Sequence, residues 1–501
     1  MFPIGEQNVD ASAQDKIFEK ANRSANVILA ATAVGSFGVW SYCIYYYVWT
    51  GIRQFNSALD IALFLSLPPA VVLLALAALR LSPARKVSAT LIWSSTLASI
   101  YALEALFALR PSLLGGTVFD AATGNKQERR QTAASFGVKF DTRDPIEVLI
   151  DAKARGVDAV PAVFPAALLE RQPGGSLKSA IRIKNAEVLP LGGVSNKISV
   201  LCNESGEYTV YRSDEHGFHN PKGLWESDRL EIAVVGDSFA HGFCVPSENN
   251  FVSLIRRRHP ATLSLGMGGN GPLLELASLK EFLPLLKPKV VLWAYFEKND
   301  WTELRDEARS PLLLRYLQSN FRQDLVSIQA DLDQALLAYV EKETRKALLR
   351  LQARNNPNSF DKLTAMAKLS ALRSGLGLAS SQRKLEEQNA PAPGTADMAL
   401  FRAVLQNAKA TVETWGGTLY FLYLPPWERY AAPPSAKQNR EEVLQTAANL
   451  KIPIIDLHAT FQSHGDPLSL FPFRRSGHYN LTGNQVIADA VIQRLAAEPI
   501  L

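Results

Sequence analysis

At 501 residues the chain is too long for one average domain, and two or three folding units are expected. Hydrophobic residues make up 47% and charged residues 20%, ordinary for a globular protein, but the apolar share is concentrated in the first 110 positions. The formal charge of +5 comes without a run of Lys and Arg interleaved with aromatics, so nucleic-acid binding has little support. Three cysteines are too few for a disulfide scaffold.

Three apolar stretches come first, at residues 25–49, 58–79 and about 87–109. Each has roughly 20 residues or more, enough to cross a hydrocarbon core of about 30 Å. The first is too long for a removed signal peptide and lacks its small-residue cleavage pattern. Tyr45, Tyr46, Tyr47 and Trp49 at its end form an interfacial aromatic belt. Lys16, Lys20 and Arg23 precede the first span, and Arg80, Arg85 and Lys86 fill the loop between the second and third. The positive-inside rule therefore places the N-terminus and that loop in the cytoplasm and everything after Leu109 on the far side. The reading is a multi-pass membrane protein, of bacterial inner-membrane type, with its catalytic part extracytoplasmic. Glu104 interrupts the third span and is assigned no role.

Residues 1–110 thus form a membrane region and 111–225 a lead-in subdomain. In the lead-in, Asp144 followed by Pro145 marks a helix start. From 226 to 501 apolar runs alternate with helical patterns. Strands are expected at 232–235, 261–265, 289–296, 418–424 and 452–457. Helices are expected at 247–259, 272–286, 399–414 and 482–497. This alternation predicts an α/β domain built on a parallel sheet. Residues of about 308–390, helical and charged, read as an inserted arm, and 388–396, rich in Pro and Ala, as a linker.

Four separated pieces fall at carboxyl ends of strands or in the last loop, where an open parallel sheet gathers its ligands. They are Gly236-Asp237-Ser238, Gly266-Met267-Gly268-Gly269-Asn270-Gly271, Phe296-Glu297-Lys298-Asn299-Asp300, and Ser476-Gly477-His478. A Ser hydroxyl needs a base within hydrogen-bond reach to attack an acyl carbon, and the resulting oxyanion needs preset donors. This set resembles the SGNH/GDSL hydrolase superfamily of esterases, over about residue 231 to the C-terminus. The resemblance implies a flavodoxin-like parallel sheet in a three-layer α/β/α sandwich, with Ser238 as nucleophile and His478 as general base. It also implies an oxyanion hole from the N–H groups of Ser238 and Gly269 and the amide of Asn299.

One departure is evident. The family places an Asp two or three residues before the His, and here those positions are Ser476 and Arg475. The candidate acid partners are Asp466 and Asp456; a Ser–His dyad and a degenerate binding site are the alternatives. Lys298 replaces a Gly common in the family, either narrowing the pocket, supplying a cation for an anionic substrate, or standing solvated. Cys202 and Cys244 flank the Ser238 region. Two independent buried thiols are expected, with pairing as the alternative if the region lies outside the cytoplasm. No Cys/His spacing resembles a zinc site, and His216 and His219 lack a third ligand, so neither metal nor cofactor is expected.

The function implied is a membrane-anchored serine esterase acting on O-acyl esters, O-acetyl above all, of a cell-envelope glycan or lipid-linked substrate. The alternatives are an O-acyltransferase in polysaccharide or cell-wall modification, served by a membrane acyltransferase partner, and a catalytically degenerate glycan-binding or assembly protein. Nucleic acid is not among the expected partners.

Overall fold

The structure, a computed structural model, describes residues 11–49, 65–109, 129–227, 230–355, 366, 394–431 and 440–498. It separates into two compact units, the first containing the N-terminal helices and the second nearly everything from residue 125 onward.

In the first unit the helix Ala11–Cys43 runs into a π-helical turn at Ile44–Trp49, and further helices span Leu67–Leu79 and Pro83–Leu109. Two segments, Gln14–Cys43 and Pro83–Ala108, are long and apolar enough to cross a membrane, with mean hydropathies of 1.3 and 1.4. Large apolar side chains such as Leu73, Leu74 and Ile92 are left exposed. For the middle stretch expected at 58–79, residues 58–64 lie outside the described residues, and the helix that is described has 13 residues.

The second unit is built on five parallel strands: β1 Ile232–Gly236, β2 Thr262–Ser264, β3 Val290–Phe296, β4 Thr418–Leu424 and β5 Ile454–Asp456. Their spatial order is β2-β1-β3-β4-β5, the flavodoxin-like arrangement expected. Strand β1 is buried along its whole length, which is why it reads as an unbroken apolar run rather than an alternation. Its side chains still divide by face. Ala233 and Val235 join Trp293 and Phe421 in one core, against the helices Pro272–Leu286 and Thr395–Glu413. Ile232 and Val234 join Leu292 and Leu422 in the other, with the helices Phe251–Arg258 and Leu481–Ala496. The predicted element borders are off by a few residues; the expected helix 247–259, for example, is a 3-10 turn at Ser247–Asn249 followed by a helix that Asn250 caps.

The lead-in opens with the helix Pro145–Ala154, held by the expected cap: Asp144 accepts from the Ile146 N–H, and Glu147 accepts from the Asp144 N–H at 2.6 Å. A small sheet follows, pairing Ala159–Pro161 in parallel with Ile198–Val200, which pairs antiparallel with Val210–Arg212. Leu168, Leu189, Leu191 and Phe218 of the lead-in are fully buried in the same core as the central sheet.

The inserted segment packs on the central body. The helix Gln329–Asn355 buries Leu332, Leu336 and Val340 in the main core. An apolar stripe at every fourth residue needs a wall, and here the central body supplies it. Residues 356–365 and 367–393 lie outside the described residues, and with them most of the expected linker. Its last residues instead start the helix Thr395–Glu413, where Asp397 accepts from the Gly394 N–H at 2.8 Å and pairs with Arg305.

Candidate active site

Strand β1 ends at Gly236, and the chain turns at once into the short helix Ser238–His241. The turn is tight: a Cβ on Gly236 would come within 2.9 Å of the Ala240 Cβ and 3.0 Å of the Ala294 Cβ. Asp237 caps the turn by accepting from the Phe239 N–H at 2.9 Å. Ser238 therefore stands at the carboxyl edge of the sheet.

His478 reaches the same place from a loop fixed on both sides. Tyr479 donates its hydroxyl proton to the Pro425 carbonyl at 2.7 Å. Asn480 caps the last helix through the Gly483 N–H at 3.0 Å and donates to the Ser469 carbonyl at 2.7 Å. With that loop held, His478 Nε2 lies 2.8 Å from Ser238 Oγ, the reach a general base needs. Phe239 and Phe243 flank the imidazole, with ring centroids 4.8 and 5.0 Å away.

Neither Asp466 nor Asp456 is the carboxylate behind His478. Asp466 pairs with Arg474 on the surface. Asp456 caps the helix Leu457–Gln462 and pairs with Arg440. The partner is Glu204, from the lead-in. Its Oε1 lies 3.2 Å from His478 Nδ1, and its Oε2 accepts from the His478 backbone N–H at 2.8 Å. Gly477 makes this approach feasible, since a Cβ there would come within 2.8 Å of Glu204 Oε2. The Glu204 loop is held by Asn203, whose amide donates to the Asp141 and Gly206 carbonyls at 2.9 and 3.0 Å. It is also tied covalently, because Cys202 and Cys244 form a disulfide, against the expectation of independent thiols. The bond joins the segment carrying Glu204 to the segment just after Ser238.

The charges follow from this packing. Burial alone would raise the Glu204 pKa, but the charge and hydrogen bonds of His478, with Arg129 at 4.0 Å, hold it at about 2. Burial opposes protonation of His478, yet Glu204 outweighs it and the imidazole is raised above its ordinary value. This orients the ring with Nδ1 as donor to Glu204 and Nε2 free to accept the Ser238 proton.

The oxyanion side is less direct than expected. Gly269 sits at φ +76°, a left-handed conformation that favours glycine, and its N–H makes no backbone hydrogen bond. The Ser238 N–H is at the first helical position, where no intrahelical acceptor exists. Asn299, however, spends its amide protons on carboxylates, donating to Asp237 Oδ2 at 3.2 Å and Glu303 Oε1 at 2.9 Å. Lys298 pairs with Glu428 beside Ser476 rather than standing free. His216 and His219 are occupied elsewhere: His216 Nδ1 meets Gln329 Oε1, and His219 bonds the His241 carbonyl and Ser247 Oγ, each at 2.8 Å.

No family model and no curated protein matches the sequence. Solved structures similar to this chain include a lipase/acylhydrolase from Enterococcus faecalis, at 13% identity and TM-score 0.30, covering 54% of this chain and 96% of that one. An acetyl xylan esterase matches at 11% and 0.30, covering 53% and 100%. A psychrotrophic esterase from a Pseudoalteromonas species matches at 10% and 0.27, covering 54% and 99%. The chain resembles the SGNH/GDSL hydrolases in its parallel α/β sheet and in the sequence blocks that meet at its edge. The carboxylate at His478 comes from a separate, disulfide-tied segment upstream of Ser238, not from the positions just before His478.

Proposed function

We propose that the protein is a membrane-anchored serine esterase that removes an O-acyl group, O-acetyl above all, from a cell-envelope glycan or lipid-linked substrate through an acyl-enzyme on Ser238. The observation that carries this reading is the continuous chain Glu204–His478–Ser238, with contacts of 3.2 and 2.8 Å. Ser238 Oγ attacks the acyl carbon as its proton passes to His478 Nε2. The negative charge on Glu204 stabilises the imidazolium, and the N–H groups of Ser238 and Gly269 receive the oxyanion. Asn299 joins them only after releasing one of its carboxylate contacts. Collapse of the tetrahedral intermediate expels the alcohol, which takes the proton from His478. Water, deprotonated by the same imidazole, then frees the acid and restores Ser238.

Two helices able to span a bilayer support anchoring, and we assign three spans with the catalytic part on the outer face. The Cys202–Cys244 bond supports that side, because disulfides persist in oxidising compartments. The reading as a non-catalytic glycan binder rested on the missing acid before His478, and Glu204 removes that ground. A fluorophosphonate probe should label the wild-type chain but not Ser238→Ala, and Ser238→Ala should lose hydrolysis of acetyl esters. Full hydrolysis by Ser238→Ala would refute the proposal.

A further inference from the structure

Behind Ser238 the protein buries a cluster of carboxyl groups. Asp237, Glu275 and Asp300 are fully inaccessible, and Glu307 nearly so, with Glu303 beside them. Glu307 is accounted for: it accepts from the N–H groups of Gly271, Leu273 and Leu274 at the start of the helix Pro272–Leu286. Asp237 accepts from the Phe239 N–H and from Asn299, and Glu303 also accepts from Asn299, whereas Glu275 and one oxygen of Asp300 have no such partners. One carboxylate oxygen from each of Asp237, Asp300 and Glu303 lies within 4.8 Å of the other two. Asp300 Oδ2 accepts from the Phe296 N–H at 3.0 Å, but its Oδ1 has no partner.

A second observation comes from outside that trio. Glu275 is fully buried, and neither of its oxygens has a hydrogen-bond partner. The charges that act on it are those of Asp237, Glu307 and Glu303, and it acts in turn on Asp300. Asn270, just before the same helix, is likewise fully buried with neither amide atom paired. Burial and mutual repulsion push Glu275 and Asp300 well above the carboxylate range. Protonation alone does not resolve the problem. A neutral carboxyl needs an acceptor for its O–H, and Glu275 has none within reach, so the group would still carry an unmet desolvation cost. A cation among the oxygens removes both the repulsion and the vacancy.

We infer that Asp237, Asp300 and Glu303 enclose a hard divalent cation of the Mg²⁺ or Ca²⁺ kind, with Glu275 meeting it through its inner hydration. The donor set is all oxygen, which suits these ions and not zinc or copper. Metal–oxygen bonds of about 2.0–2.6 Å put neighbouring ligand oxygens about 3–5 Å apart, matching the observed spacing. The ion would act by position. It would fix Asp237, which caps the nucleophile turn, and through Asp237 and Glu303 it would set the amide of Asn299. It would not touch the substrate.

The test uses the full chain in detergent, stripped with EDTA, then reloaded with MgCl₂ or CaCl₂ and gel-filtered. Metal content and the thermal midpoint are measured. Wild type should retain about one equivalent of one of these ions and gain about 5 °C or more over the stripped form. Asp300→Asn and Glu275→Gln should lose both the retained metal and the metal-dependent gain, while Asp306→Asn, exposed on the helix Asp300–Glu307, keeps them. Two variants are included so that one failing to fold leaves the other decisive. A wild type that binds neither ion and shows no midpoint change would overturn the inference, as would either cluster variant retaining the full gain. Neither readout depends on esterase activity, so the outcome is independent of the proposed reaction.

Discussion

Replacing Glu204 with Gln isolates the contribution of the acid. The carboxylate lies 3.2 Å from His478 Nδ1 and is mostly buried. At that distance and an effective dielectric of about 20, a charge pair is worth about 5 kcal/mol when the imidazolium forms. Solvent screening at the partly exposed edge, and the neutral hydrogen bond a Gln oxygen can still accept, retain some of this. A net loss of about 3–4 kcal/mol of transition-state stabilisation remains, or about 10²–10³-fold in kcat. KM should change little, because Glu204 faces the imidazole rather than the substrate. The assay is steady-state hydrolysis of an acetyl ester by the full chain, with the thermal midpoint as a folding control and Asp466→Asn and Asp456→Asn in parallel. The latter two should stay within about threefold of wild type. A folded Glu204→Gln protein with near-normal kcat, or an Asp466→Asn protein with a hundredfold loss, would refute the assignment.

The pH–rate profile should rise along a limb above the ordinary histidine pKa of 6.5, because Glu204 raises His478, and Glu204→Gln should move that limb down. In stability the two signs differ. The raised His478 contributes fully below 6.5 and less as pH rises through its folded value. Glu204, held at about 2, contributes above 4.5 and is lost as pH falls towards 2, so unfolding titrations should show the pair fully effective only between. Reduction of Cys202–Cys244, or Cys244→Ser, should lower stability by up to about 4 kcal/mol for a separation of 42 residues, and should lower kcat further by freeing the Glu204 loop. Gly477→Ala should cost about 10–100-fold in kcat with a small change in midpoint, since the added Cβ displaces Glu204 Oε2; an unchanged kcat would contradict the proposed approach of the carboxylate.

The sheet was legible because β1, β3 and β4 are buried on both faces and so appear as unbroken apolar runs. Ser238 and His478 were legible because each follows local turn chemistry at a strand end or helix start. Glu204 was not, because it lies in a loop with no periodicity, 274 residues from the ring it contacts. One signal was available: Cys202 lies two residues before it and Cys244 six after Ser238, so pairing the two would have brought Glu204 to the site. The inserted helix was legible as a helix, but not where it packs, which three apolar residues on one face decide. The buried carboxylates were not legible as a group, since Glu275, Asp300 and Glu307 lie on two separate helices whose packing brings them together.

Because the acid enters from upstream, the minimal active unit is longer than the α/β core. A truncated chain starting at residue 226 would keep nucleophile and base while losing both the carboxylate and the covalent strap that presents it. Deletion mapping guided by the parallel sheet alone would therefore yield a dormant protein, and its silence would say nothing about the parent.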